Sequence, residues 1–235
     1  MFRREAHRRV ARVLGALDAR FLAKCACYFG GATRIVLELG EYRESADLDF
    51  LCAEERGYRA LREGVSDRSL GPIASGPLRL AREVRADQYG IRTFVDPGDG
   101  GTAIKLEIVR EARIRLAGRM SRRLGVPALD RTSCMAEKLL ANADRGMDRS
   151  ARSRDLIDLA VMQRRWPSSM RPALRRAEAA YGASVRRGLR NAAALFVADR
   201  AYAERCLADL RVSRSAVPLR LIGHWARVAD ITLRA

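Results

Sequence analysis

The two stretches Gly30-Gly31-Ala32-Thr33 and Arg43-Glu44-Ser45-Ala46-Asp47-Leu48-Asp49-Phe50 decide how this chain is interpreted. Side chains alternate between the two faces of a β-strand, so Asp47 and Asp49 are expected on one face and their apolar neighbours on the other, against a core. Two carboxylates at this spacing suit a hard divalent cation such as Mg2+. Glycines directly before a helix let backbone N–H groups approach phosphates without a side chain between them. Together the two stretches predict a nucleotide-handling active site.

The length and composition of the chain predict one or two domains with a substantial core. The chain has 235 residues, of which 48% are hydrophobic. No apolar run approaches the roughly 18–20 residues of a membrane span. The N-terminal residues lack the apolar middle of a secretory signal. A cytoplasmic protein without a membrane partner is therefore expected.

The net charge of +17 is large for this length, and arginine carries nearly all of it. Lysine occurs only at positions 24, 105 and 138. From residue 151 to the end there are 17 arginines and seven acidic residues. Such a surface attracts polyanions and speeds their encounter with the protein, which favours contact with RNA or DNA. The alternative interpretation is a basic face that is only solvated.

The cysteines and histidines argue against disulfides and against zinc. The five cysteines are Cys25, Cys27, Cys52, Cys134 and Cys206. Their odd number and the lack of C-x-x-C spacing disfavour both a disulfide framework and a structural zinc site. Because His7 and His224 are the only histidines, a catalytic site based on histidine is not expected either. Free, buried thiols are predicted.

Hydrophobic periodicity and turn residues predict the elements of the first half of the chain. Apolar residues with helical spacing predict a helix over 5–20. The further predictions are a strand over 23–31, a helix over 33–39, a strand over 46–52, a helical turn over 59–63, a loop over 64–82, and strands over 84–95 and 102–109. The turn over 96–101, rich in Gly, Asp and Pro, joins the last two strands into a predicted hairpin.

Beyond about residue 130 the pattern becomes helical. One helix is expected from Asp130, as its cap, to Arg145, and a second over 156–162. Three or four more are expected over roughly 169–233, with breaks near Gly182, Asp199 and Pro218. The pattern therefore predicts an N-terminal half with helices and strands and an all-α C-terminal half, joined near residues 125–130.

Glu107 is the candidate for a third carboxylate. It lies on the predicted strand over 102–109, on the face opposite the apolar side chains. Three carboxylates around Mg2+ suit nucleotidyl transfer, because the metal neutralises a triphosphate and one acid accepts the proton of the attacking hydroxyl. The alternative is a surface ion pair between Glu107 and Lys105.

Lys138, Asn142 and Arg145 lie at i, i+4 and i+7 and therefore share one helix face. That face could meet a triphosphate, with lysine as a compact point charge. A solvated helix face is the alternative. Asp155 and Asp158 lie three residues apart at the start of the next helix, and are expected either to pair with those cations or only to favour the helix dipole.

The same motifs resemble one known family. They are Gly30-Gly31-x-Thr33, Arg43-x-Ser45-x-Asp47-x-Asp49-Phe50, Lys138-Leu139-x-Ala141-x-x-x-Arg145 and Arg154-Asp155-x-x-Asp158. In order and spacing, over residues 25–165, they resemble the AbiEii-type nucleotidyltransferase toxins of the DNA polymerase β-like nucleotidyltransferase superfamily. The chain departs from the family pattern at Ala32 and Glu107, where relatives often have Gly and Asp.

The resemblance implies an α+β fold with a nucleotidyltransferase-type mixed sheet and flanking helices over residues 1–128, followed by an all-α C-terminal lobe over residues 129–235. It also implies Mg2+ as the cofactor and a nucleoside triphosphate as the substrate. The implied partners are an RNA acceptor, with tRNA favoured, and a cognate antitoxin. The implied setting is a toxin–antitoxin or phage-defence system.

The resemblance further implies roles for individual residues. Nucleotide binding is implied for Gly30, Gly31, Thr33, Arg43, Ser45, Lys138 and Arg145. Metal binding is implied for Asp47, Asp49 and Glu107. Catalytic roles are implied for Asp47, Asp49, Lys138 and Asp155.

The leading hypothesis is an Mg2+-dependent nucleotidyltransferase that moves a nucleoside monophosphate from a triphosphate to tRNA or another nucleic acid, and acts as a toxin. One alternative is a non-catalytic RNA-binding protein on a decayed transferase scaffold. Another is a transferase whose acceptor is a protein hydroxyl or a small molecule such as an aminoglycoside, which the positive charge of the chain disfavours.

Overall fold

Residues 2–76 and 78–228 are described by the computed structural model, and they divide into two units. The first unit extends to Glu41 and resumes from Ser45 to Asp130. The second unit takes in Tyr42–Glu44 and the described chain from Arg131 onward. The division lies close to the predicted one after residue 128. The sequence does not predict that residues 42–44 group with the helices.

The first unit contains helices α1–α4 and strands β1–β7. In chain order these are α1 Glu5–Gly15, α2 Ala19–Lys24, β1 Cys27–Phe29, α3 Gly31–Glu38, β2 Leu48–Cys52, α4 Glu55–Glu63, β3 Leu80–Ala86, β4 Gly90–Val95, β5 Ile104–Arg110, β6 Gly118–Met120 and β7 Pro127–Leu129. A short 3-10 helix, Gly71–Ile73, precedes β3.

The seven strands form one mixed sheet in the order β3-β4-β5-β2-β1-β7-β6. Strand β2 lies parallel to β5, and β1 lies parallel to β7. The remaining neighbours are antiparallel. The α+β prediction and the hairpin between β4 and β5 are therefore confirmed.

On β2 and β5 every second side chain is buried in the core, as the alternation of apolar residues predicted. Leu48 and Phe50 of β2 are buried, and the Phe50 ring packs 5.3 Å from the ring of Phe29 on β1. On β5 the buried side chains are Ile104, Leu106 and Ile108. The intervening polar side chains of both strands consequently share the opposite face of the sheet.

The N-terminal helix is shorter than predicted. The predicted helix over 5–20 ends at Gly15. A second helix, α2, then starts because the Asp18 carboxylate caps it, accepting the N–H of Phe21 at 2.8 Å. The predicted strand over 23–31 is therefore wrong in its first residues, which belong to α2.

The predicted strand over 84–95 is wrong, because it is a hairpin of two antiparallel strands, β3 and β4. The reversal is made by Asp87, whose carboxylate accepts the N–H groups of Tyr89 and Gly90 at 2.7 and 2.9 Å. Asp bonds of this kind stabilise a turn that hydrophobic periodicity does not reveal. Strands β6 and β7 have three residues each and carry no readable period.

The described part of the second unit is helical, as predicted. Its helices are α5 Arg131–Arg145, α6 Arg154–Arg165, α7 Pro167–Tyr181, α8 Ser184–Ala198, α9 Arg200–Asp209 and α10 Leu219–Arg227. The breaks near Gly182, Asp199 and Pro218 are confirmed. The predicted helical residues 229–233 lie outside the described residues.

No helix among the described residues has both the length and the apolar character that crossing a membrane requires. The cytoplasmic location stays a prediction.

Candidate active site

The glycine pair lies against the acidic strand in the first unit. The Gly30 N–H donates to the backbone carbonyl of Asp49 at 2.8 Å. Gly31 has φ +62°, and a Cβ there would lie 2.7 Å from Cβ and 2.9 Å from Cγ of Asp49. Only glycine fits both the left-handed backbone and this close approach. The start of α3 is therefore packed directly on the side chain of Asp49.

The Gly30 amide is engaged with Asp49, so the helix start itself has to supply any phosphate-binding amides at this turn. The first N–H groups of an α-helix have no partner within the helix and carry the positive end of its dipole. In α3 these are the groups from Gly31 onward. The nucleotide contacts predicted for Gly30 and Gly31 stay predictions.

Two hydroxyls accompany this turn. Thr33 is fully buried in the first turn of α3, and its Oγ1 lies 2.8 Å from Oγ of Ser45. Ser45 is only partly buried. The structure thus brings together two of the residues that were predicted to bind nucleotide.

Asp47 and Asp49 differ in burial. Asp47 is exposed just before β2, and Asp49 is half-buried within β2. The pKa of the Lys105 ammonium on β5 is raised, chiefly by its hydrogen bond to Glu107 and by the charge of Glu107. The negative charges of Asp49 and Asp47 raise it further. The acidic strand edge therefore has a lysine beside it.

Glu107 is in register with Asp49 on the neighbouring parallel strand. Its carboxylate, however, binds two cations, the Lys105 ammonium at 2.6 Å and the Arg92 Nε at 2.7 Å. Burial raises the pKa of Glu107, but these two cations more than offset that effect and hold the pKa below its ordinary value. The Lys105–Glu107 pair considered from the sequence is present.

Over the described ranges, no three His, Cys, Asp or Glu side chains are grouped so as to hold a metal ion. The oxygen donors of Asp47 and Asp49 fit a hard divalent cation, and the Gly31 turn gives Asp49 a fixed place. Glu107 could join them only by sharing or releasing its cations. Its role as third ligand stays a prediction.

In the helical unit a buried ion cluster joins α5 to α6. The Lys138 ammonium lies 2.7 Å from Asp155 Oδ1 and 2.8 Å from Asp158 Oδ2. Burial would lower the pKa of Lys138, but the two carboxylates raise it above its ordinary value. Of the two alternatives that the sequence left open for these aspartates, the structure shows ion pairing with Lys138.

Arg145 completes the outer side of this cluster. Its Nε and Nη2 donate to the two oxygens of Asp155 at 2.7 and 3.1 Å, while the side chain remains 42% exposed. Burial would raise the pKa of Asp155, but Lys138 and Arg145 hold it below its ordinary value. Lys138, Arg145 and Asp155, all predicted site residues, thus lie together.

Arg43 lies on the inner side of the same cluster. Its Nε and Nη2 donate to the Asp158 carboxylate at 2.7 and 2.9 Å, and its Nη1 donates to the carbonyl of Glu44. Only 3% of its side chain is exposed. The Tyr42 hydroxyl also donates to Asp158, at 2.6 Å. In this structure Arg43 holds Asp158, and its predicted nucleotide contact stays a prediction.

Two further buried residues, Tyr42 and His7, were given no role from the sequence. Tyr42 donates to Asp158, and His7 accepts the backbone N–H of the predicted site residue Ser45. The signal for His7 was its place on the apolar face of α1, one turn before Val10. A polar side chain on such a face needs a partner.

A family model described as the nucleotidyl transferase AbiEii toxin of type IV toxin–antitoxin systems matches residues 12–224. The chain belongs to the AbiEii nucleotidyltransferase toxin family. Membership makes the protein an enzyme of the nucleotidyltransferase class and implies a nucleotide substrate and a cognate antitoxin. Nucleotidyltransferases of this kind generally use a divalent metal.

Two solved structures from Helicobacter pylori resemble this AbiEii family member. JHP933 is 16% identical, with a TM-score of 0.46 over 96% of this chain and 90% of that one. A second protein, provisionally described as a nucleotidyltransferase, is also 16% identical, with a TM-score of 0.34 over 74% of this chain and 92% of that one. No curated protein sequence matches the chain significantly.

Proposed function

We propose that this enzyme transfers a nucleoside monophosphate from a nucleoside triphosphate to an RNA acceptor, with tRNA favoured, in an Mg2+-dependent reaction that constitutes its toxicity. The observation that carries the proposal is the packing of Asp49 on the Gly31 turn. A carboxylate for a cation and a helix start for a phosphate are thereby adjacent, as nucleotidyl transfer requires.

In the first unit, Asp47 and Asp49 would hold Mg2+. The bound cation would neutralise charge on the triphosphate and orient it for attack. The amides at the start of α3 and the Ser45 hydroxyl, which is bonded to the buried hydroxyl of Thr33, offer donors to phosphate oxygens. One of the two aspartates accepts the proton of the attacking acceptor hydroxyl.

In the helical unit, Lys138 and Arg145 are proposed to contact nucleotide phosphates. The buried cluster contains three cations, Lys138, Arg145 and Arg43, and two carboxylates, so it carries one excess positive charge. Asp155 holds the Lys138 ammonium and the Arg145 guanidinium in place, and Lys138 has a third N–H donor for a phosphate oxygen.

An RNA acceptor is proposed because of the distribution of arginine. The chain carries a net charge of +17, and exposed arginines line the helical unit, among them Arg171, Arg175 and Arg187 on α7 and α8. Such a surface binds phosphate backbones through a salt-dependent interaction. An aminoglycoside acceptor is itself a cation and would be repelled.

The test is incubation of the protein with total RNA and each labelled nucleoside triphosphate in turn, with Mg2+ and with EDTA. We expect label from one triphosphate to enter a defined RNA class, with tRNA as the favoured one, and EDTA to abolish incorporation. Asp47→Asn and Asp49→Asn are expected to remove activity while leaving the folded state intact. Asp67→Asn, an exposed aspartate of the same unit, is the matched control for the loss of one negative charge.

Three outcomes would contradict the proposal. The first is no incorporation into any RNA by the folded wild-type chain, with RNA binding retained, which would favour the non-catalytic alternative. The second is label in protein or in a small molecule instead of RNA. The third is full activity in both aspartate variants.

A further inference from the structure

His7 is fully buried on α1 in the first unit, and both of its ring nitrogens have partners. Nδ1 lies 2.8 Å from Oε1 of Glu41. Nε2 lies 3.3 Å from the backbone N of Ser45. A backbone N–H can only donate, so Nε2 accepts and the ring proton is on Nδ1, where it is donated to the Glu41 carboxylate.

Glu41 is built to hold this ring in one orientation. It has φ +59°, a left-handed backbone that non-glycine residues rarely adopt. Its carboxylate, 5% exposed, also accepts the backbone N–H groups of Arg3 and Arg4 at 2.8 and 3.0 Å. These several bonds to one carboxylate explain why a glutamate occupies a position where glycine or asparagine is the usual choice.

Beyond His7 the same chain of bonds reaches two proposed nucleotide-binding residues. The Ser45 amide is held by His7, and the Ser45 hydroxyl lies 2.8 Å from that of Thr33 in the first turn of α3. The series Glu41, His7, Ser45, Thr33 therefore runs from a buried anchor to the helix start beside Asp49.

We infer that His7 is a positioning residue for nucleotide binding: it fixes the Ser45 backbone so that the part-exposed Ser45 hydroxyl, supported from behind by Thr33, stands ready for a phosphate oxygen. His7 is buried and does not itself meet the substrate. The inference rests on the proposed function, and it adds a residue that the motifs of the sequence do not include.

Substituting His7 by asparagine or by glutamine tests the bonds of its two ring nitrogens one at a time. Asn at position 7 places an N–H donor near the Nδ1 position, so it keeps the bond to Glu41 and loses the one to Ser45. Gln places its amide near the Nε2 position, so it keeps an acceptor for Ser45 and weakens the bond to Glu41. Both remove the ring from the same buried site, so their packing losses are comparable.

The experiment measures KM for the triphosphate and kcat for His7→Asn, His7→Gln and the wild type. His7→Asn is expected to raise KM about tenfold with kcat changed less than about threefold, the effect of roughly one net hydrogen bond. His7→Gln is expected to restore most of the wild-type KM. His224→Asn, which changes the exposed second histidine, is the control.

A second measurement does not depend on activity. Amide hydrogen exchange at Ser45 is expected to speed up in His7→Asn and to stay slower in His7→Gln. If neither variant folds, Glu41→Gln takes their place, because it keeps the side-chain volume and weakens the bond that fixes the ring. It is expected to raise KM about threefold, consistent with the loss of a charge-assisted bond.

The inference would be overturned if His7→Asn and His7→Gln had equal KM values and equal exchange rates at the Ser45 amide. Where Glu41→Gln is measured instead, an unchanged KM would overturn it. A wild-type chain without transferase activity would instead contradict the proposed function, while the exchange experiment would still test the role of His7. The two failures are therefore distinguishable.

Discussion

Asp49 and Glu107 are register partners on the parallel strands β2 and β5, and the Glu107 carboxylate is bonded to the ammonium of Lys105 at 2.6 Å. The position beside the proposed metal-binding aspartate therefore holds an ion pair within the protein. A divalent cation that uses Glu107 has to compete with Lys105 and with Arg92, which binds the other carboxylate oxygen at 2.7 Å.

Lys105→Met is expected to lower the Mg2+ concentration that gives half-maximal transfer. A part-exposed ion pair is worth about 0.5–1 kcal/mol, so the expected change is about two- to fivefold. Adding Glu107→Gln to Lys105→Met should reverse the gain, since the carboxylate that Lys105 no longer shares with Arg92 is then absent. The measurement is a Mg2+ titration of nucleotide incorporation.

Lys24→Met is the matched control for the Lys105 variant, because Lys24 is exposed at the end of α2. Its Mg2+ requirement should equal that of the wild type. If the gain in Lys105→Met persists with Gln at position 107, the gain comes from general electrostatics and Glu107 is not a ligand.

Gly31→Ala tests the contact between the turn and Asp49. The left-handed backbone at Gly31 costs a non-glycine residue about 1–2 kcal/mol. The new Cβ would also collide with the Asp49 side chain, and overpacking of this kind adds about 1–3 kcal/mol. Urea unfolding should show both costs, and transfer should fall because Asp49 is displaced.

Gly125→Ala isolates the backbone cost, so the difference between the two variants gives the cost of the collision with Asp49. Gly125 has φ +73°, and a Cβ there would meet nothing within 4 Å, so alanine should suffer only the backbone effect. Activity should be retained. Equal destabilisation in both variants would show that Asp49 moves aside freely and that the turn does not hold it.

Much of this architecture follows from local patterns. Strands β2 and β5 have clear period-two alternation, and α5 carries its apolar residues at helical spacing, so these three elements were predictable. Strands β6 and β7 were not, because three residues show no period. The strand predicted over 84–95 failed because the Asp87 turn is formed by a single side chain.

The candidate site was predictable as a set of residues and not as a set of contacts. Asp158 bonds to Arg43, 115 positions earlier in the chain, and His7 bonds to Glu41, 34 positions later. Such pairings arise from tertiary packing, which no local periodicity encodes. The sequence therefore identified Arg43 as a functional candidate without indicating its bond to Asp158. For Glu107 it offered the pair with Lys105 as an alternative, but not the second bond to Arg92.

Lys138→Met tests the buried cluster of the helical unit. Lys138, Asp155 and Asp158 are each no more than 6% exposed. Without the ammonium, Asp155 keeps Arg145 and Asp158 keeps Arg43, but both carboxylates lose a buried bond to a cation. Hydrogen bonds to charged groups are worth about 1.5–3 kcal/mol each, so the expected cost is about 3–5 kcal/mol. Urea unfolding at pH 7 should show a loss of this size.

Adding Asp155→Asn to Lys138→Met should recover part of that loss, because Asp158 still has Arg43 as a partner. Lys24→Met should change stability by less than about 0.5 kcal/mol, as exposed substitutions do. A Lys138→Met variant as stable as Lys24→Met would mean that water already reaches the cluster.

Glu41 should make the first unit sensitive to acid. Burial raises the pKa of its carboxyl, but the N–H groups of Arg4 and Arg3 and the bond to His7 lower it from 4.5 to about 2. A carboxyl with a lowered folded-state pKa contributes stability that is complete above its ordinary pKa and is lost as the pH falls toward the folded-state value. The loss should therefore run between about pH 4.5 and pH 2.

Glu41→Gln cannot titrate, so it should be less stable than the wild type at pH 7 and lose less stability between about pH 4.5 and pH 2. Asp155 and Asp158 also have lowered pKa values, but they titrate in both proteins, so the difference between the two curves isolates Glu41. Thermal unfolding across this pH range is the measurement. Parallel curves of stability against pH for the two proteins would show that the hydrogen bonds do not hold the Glu41 carboxylate. The proposed role of Glu41 in fixing the orientation of the His7 ring would then fail as well.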